Sequence, residues 1–97
     1  MHVATLEVDL HIPHSHSLKE KRAAIRPIIE GARRRFQVAA AEVAHQEKWQ
    51  RAGLGFAAVG GEADHVNDVL HRVERFVWSF PEVEVVSAER RWLEAAP

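Results

Sequence analysis

The sequence predicts a single α+β domain ordered β-α-β-β-α-β, with two amphipathic helices packed on one face of a four-stranded antiparallel sheet. Three observations predict it. Residues Val3 to Ile12 alternate between apolar and polar, the period-2 pattern of a half-buried strand. Two later segments, opening at Leu18 and near Val66, instead return apolar side chains every three or four residues, as a helix does. The changes of period coincide with strong chain breakers at Pro13, Gly60-Gly61 and Pro81.

In the first strand Ala4, Leu6, Val8, Leu10 and Ile12 point to the core, and Val3, Thr5, Glu7, Asp9 and His11 point away. Pro13 ends it. Ser17 followed three residues later by Glu20 is a capping box, so a helix is predicted from Leu18 to about Arg35, with Ile25, Ile29, Ala32 and Phe36 on one face and Ile28 at its edge. Pro27 falls inside this helix, where its ring opposes the Ala23 carbonyl and deletes one hydrogen bond, which predicts a bend between Ala23 and Pro27. Two strands follow at about Gln37 to His45 and Trp49 to Val59, joined through Gln46-Glu47-Lys48. Leu54, Phe56 and Ala58 form the core face of the second, whereas the run Ala39-Ala40-Ala41 leaves the register of the first unspecified. Val66, Val69, Leu70, Val73, Phe76, Val77 and Phe80 make the stripe of the second helix, which Pro81 stops. Val83 to Trp92 is the last strand, and its alternation slips between Val85 and Val86, the mark of a bulge. This order suits a ferredoxin-like split-βαβ sandwich.

A chain of 97 residues supports one core, so residues 1–97 are read as one domain. An apolar content of 46% with 28% charged residues is that of a globular protein and excludes a disordered chain. With no cysteine, disulfide scaffolds, thiolate metal sites and cysteine nucleophiles are excluded. Glu7 and Asp9 interrupt the first residues in a manner unlike a signal or transit peptide, and no apolar run approaches the roughly 18 residues of a membrane span. The expected location is the cytoplasm. A net charge of −1 lacks the overall basic excess of strong nucleic-acid binders, so any such binding must come from a local patch.

The segments His16-Ser17-Leu18-Lys19-Glu20-Lys21-Arg22, Glu42-Val43-Ala44-His45-Gln46-Glu47-Lys48-Trp49-Gln50-Arg51-Ala52 and Glu82-Val83-Glu84-Val85 resemble the YlxP-like family of small bacterial proteins of unassigned function. The resemblance covers nearly the whole chain. It implies a ferredoxin-like fold and a gene neighbourhood often shared with translation-initiation and ribosome-maturation factors. No catalytic residue is carried across by it.

Lys19, Lys21 and Arg22 crowd the first turns of the first helix. Positive charge there opposes the helix dipole by about 0.3 to 1 kcal/mol per group, whereas a bound anion reverses the sign. Together with Ser17 and Arg26 they form the candidate nucleic-acid contact; the resemblance implies ribosomal RNA or a ribosomal particle as its target. The bland alternative is a solvated helix end balanced by Glu20. Arg33, Arg34 and Arg35 suit the helix C-terminus without any ligand and are discounted. At the hairpin, His45, Trp49, Gln50 and Arg51 are candidate partner contacts, with Trp78 on the polar side of the second helix as a further one. His11, His14 and His16 lie close in sequence, but no nearby carboxylate completes a ligand set, so neither metal nor other cofactor is expected. A base-stacking platform on the open sheet face is disfavoured, because Glu7, Asp9, Gly53, Gly55 and Ala57 would occupy it and none of them stacks. With no catalytic ordering or phosphate loop in evidence, a non-enzymatic binding protein is expected, and the gene neighbourhood implied by the resemblance associates it with the translation apparatus. The alternative is a protein-interaction module or weak homodimer that does not touch nucleic acid.

Overall fold

The computed structural model describes residues 1–93. Its elements are β1 (His2–His11), α1 (Leu18–Phe36), β2 (Ala39–Ala44), β3 (Arg51–Gly60), α2 (Ala63–Trp78) and β4 (Glu84–Trp92). The strands form one antiparallel sheet in the order β2-β3-β1-β4, with both helices on one face. The central pair is β1 with β3, whose register runs unbroken from His2 opposite Gly60 to His11 opposite Arg51.

Alternation in these two strands builds the core. Ala4, Leu6, Val8 and Leu10 of β1 and Ala52, Leu54, Phe56 and Ala58 of β3 are buried under Ile25, Ile28 and Ala32 of α1 and Val66, Leu70, Val73 and Val77 of α2. Each fully buried Leu, Ile, Val or Phe contributes about 1.5 to 3 kcal/mol, so this apolar layer is the main stabilising term. The helices approach closely at Gly31, where an added Cβ would stand 2.6 Å from Phe76 Cζ. Phe76 in turn packs edge-on against Phe36 and Phe80, closing that end of the core.

α1 is one continuous helix that runs through Pro27. α2 ends at Trp78, before the predicted stop at Pro81, because the Ser79 hydroxyl and amide both turn back to the Phe76 carbonyl and Phe80 N–H to Val77. The slip in β4 is a bulge: Leu10 pairs with Val85 and Asp9 with Ser87, leaving Val86 as the extra residue. A second bulge lies in β2 at Val43, since Glu42 opposes Leu54 and Ala44 opposes Gly53. The alanine run had concealed it. It throws Val43 and Ala44 over β3, and an added Cβ on Gly53 would stand 2.7 Å from that of Ala44.

Candidate nucleic-acid interface

α1 begins as the capping box requires. Ser17 is in extended conformation and its Oγ accepts from Glu20 N–H at 3.0 Å, while Glu20 Oε1 accepts from His16 N–H at 2.8 Å. α1 carries Lys19, Lys21, Arg22, Arg26 and Arg33 to Arg35 against only Glu20 and Glu30, in a chain whose net charge is −1. The positive charge missing from the whole molecule is thus concentrated on one helix.

These cations are not equivalent, and the expectation for Lys21 needs correction. Its side chain is 0% exposed, the Nζ lying 2.7 Å from Glu42 Oε2 and donating to the carbonyls of His45 (2.9 Å), Gln46 (3.2 Å) and Arg51 (3.2 Å). A buried ammonium with this set of partners is a brace between α1 and the β2–β3 hairpin and does not reach a surface phosphate. The signal was present in the sequence, since Lys21 stands four residues before Ile25 and therefore on the apolar stripe. Lys19, Arg22 and Arg26 are exposed, and among the described residues none lies within ion-pair distance of a carboxylate. Arg22 and Arg26 border an open trough of about 220 Å³ beside β2, which Ile25, Ile29, Glu30, Arg33 and Glu42 also line. Arg33 stands three residues after Glu30, yet its Nε and Nη2 both donate to the Ala40 carbonyl, at 3.1 and 2.6 Å. Arg35 lies over the Phe36 and Phe76 rings, 5.7 and 5.1 Å from their centroids.

At the hairpin the candidate contacts divide. Gln50 is structural: its side-chain Nε2 donates to the Pro13 and Ser15 carbonyls, both at 3.1 Å, while its backbone carbonyl accepts from Ile12 N–H. The expectation of a partner contact there is corrected for that reason. Arg51 pairs with Asp9, and His45, held at a positive φ of 60°, brings Nε2 to 3.6 Å from the other Asp9 oxygen. Asp9 is 36 positions away in the chain and two strands away in the sheet, so no local spacing links it to His45. Trp49 and Trp78 remain outside the core, 55% and 62% exposed. In the histidine loop, His11 Nδ1 meets Glu84 Oε1 at 2.9 Å, and no group of three or more potential ligands among the described residues is placed to hold a metal.

The fold is of the ferredoxin class: a de novo designed protein with ferredoxin fold, LFR1 1, solved by solution NMR, superposes with a TM-score of 0.56 over all of this chain and 89% of that one, at 9% identity. The chain belongs to the family described as Protein of unknown function (DUF503), whose model matches residues 3–90. It is also 36% identical to the Uncharacterized protein YlxP of Bacillus subtilis (strain 168) over 86 residues, covering 89% of this chain and 94% of that protein.

Proposed function

We propose that this chain is a binding protein that docks on RNA phosphates through the exposed cations of α1, with ribosomal RNA the target expected from the family resemblance. The observation that carries the reading is the row Lys19, Arg22 and Arg26, exposed and without a carboxylate partner among the described residues. Cations at a helix N-terminus and along its open side gain from a polyanion what the helix dipole denies them. On the opposite sheet face Arg51 and Arg91 are paired with Asp9 and Glu89, and Glu7 has no cationic partner among the described residues, so that face offers a phosphate backbone no comparable row of cations.

The test is binding of a single-stranded RNA followed by fluorescence anisotropy against salt. With three phosphates neutralised, log affinity falls with log salt at a slope of about −2, so a change from about 50 to 200 mM weakens binding roughly twentyfold. The variant K19E/R22E/R26E flattens that slope, whereas R34E leaves it nearly unchanged. Equal affinity and equal salt dependence in the triple variant refute the reading. Exposed Trp49 and Trp78 favour a second reading, a protein contact, which predicts co-sedimentation with ribosomal particles that survives in W49A-sensitive form after RNA digestion.

A further inference from the structure

The two edges of the sheet are treated differently. On β2 the outward carbonyls of Ala40 and Glu42 are already occupied, by the Arg33 guanidinium and by Gln46 Nε2 at 3.4 Å. β4 has no such cover among the described residues: apart from half-buried Val85 its residues are all exposed. Leu93 N–H donates to the Val3 carbonyl at 2.9 Å, so by the alternation of an antiparallel ladder Thr5–Arg91, Glu7–Glu89 and Asp9–Ser87 face each other with bonds made. The amides and carbonyls of Ala88, Arg90 and Trp92 therefore point out of the sheet. The bulge at Val86 distorts only the other end of the strand.

The charges on this edge are incomplete in one chain. Glu7 lies directly opposite Glu89, a destabilising like-charge pair, and Glu7 has no cationic partner among the described residues. Glu89 is in loose contact with Arg91 of its own strand, 3.5 Å away, both side chains being well exposed.

We propose that two copies of this chain pair antiparallel along β4, centred on Arg90, so that Glu89 of each copy faces Arg91 of the other and the two sheets become one of eight strands. In this register Ala88 faces Trp92 of the second copy, and roughly six main-chain hydrogen bonds form from groups that have no partner among the described residues of one copy. The row Glu7–Glu89 gains the Arg91 of the second copy, and the row Thr5–Arg91 gains its Glu89. Half-exposed Trp92 finds the small, exposed Ala88 beside it. The two central arginines do not collide in charge, because each is drawn onto its own α2 by Asn67 Oδ1 at 2.9 Å and Glu74 Oε1 at 3.1 Å. The two-fold axis stands perpendicular to the sheet, so both helix layers lie on the same side. The inference is independent of RNA binding.

The register makes a sharp test by sedimentation equilibrium of the full chain, whose monomer mass is 11.0 kDa. The parent reaches twice that mass as concentration rises. E89R places arginine against arginine at both symmetric contacts and R91E places glutamate against glutamate, so each alone weakens the dimer about tenfold or more. An equimolar mixture of the two variants regains the parent's dimer, since every cross-strand contact is then opposite in charge. A parent that stays at 11.0 kDa at millimolar concentration overturns the proposal. Variants that each dimerise as the parent does, or a mixture no tighter than either alone, overturn the β4 register in favour of another surface such as Trp49 or Trp78. Unchanged circular dichroism of both variants excludes unfolding as the cause.

Discussion

Replacing Lys21 by methionine keeps an unbranched apolar stem one atom shorter and removes the charge and its donors. The ammonium is 0% exposed and is the shared partner of Glu42 and the His45, Gln46 and Arg51 carbonyls. Breaking a buried pair from one side leaves the other charge uncompensated, at a cost of about 3 to 5 kcal/mol. A domain of this size has roughly 5 to 15 kcal/mol of stability in total, so the variant forfeits a large share of it. At about 4 °C or more per kcal/mol the melting temperature falls by at least about 12 °C, read by circular dichroism, and the urea midpoint falls without change of slope. R22M, on the same turn but exposed, leaves both midpoints nearly where they were. Adding E42Q to K21M recovers part of the loss, because the orphaned carboxylate is then gone. A K21M protein as stable as R22M refutes the brace.

Gly31→Ala drives a methyl to 2.6 Å from Phe76 Cζ at the helix crossing, and the overpacking outweighs the gain in helix propensity, for a net loss of roughly 1 kcal/mol in urea denaturation. Gly61→Ala meets nothing within 4 Å and needs no positive φ, so the same measurement shows a gain of about 0.4 to 1 kcal/mol. Pro27→Ala restores a donor to the interior of α1 on its exposed side and raises the thermal midpoint, the gain reaching up to about 3 kcal/mol; a lowered midpoint would show that the proline ring is itself packed.

What the sequence by itself determined is everything that depends on neighbours along the chain. The core face of β1, the stripe of α2, the Ser17–Glu20 cap and the slip at Val85-Val86 are each written in a period of 2 or 3.6 or in a three-residue spacing, and each is present in the structure. The exposure of Trp78 follows from the same counting, whereas Trp49 lies in the connection between β2 and β3, where no period records whether it covers the core or faces solvent. The bulge at Val43 was hidden because three consecutive alanines carry no contrast between faces. Only the tertiary structure decided which charges are free. Lys21 and Arg22 are adjacent in the chain and identical in sign, yet one is sealed against carbonyls 24 to 30 residues away and the other is open to solvent. Asp9 finds Arg51 across 42 residues, and Arg33 leaves the nearby Glu30 for the edge of β2. Periodicity records the face on which a side chain sits, but a charge is satisfied through space, by whatever the completed fold brings within reach of it.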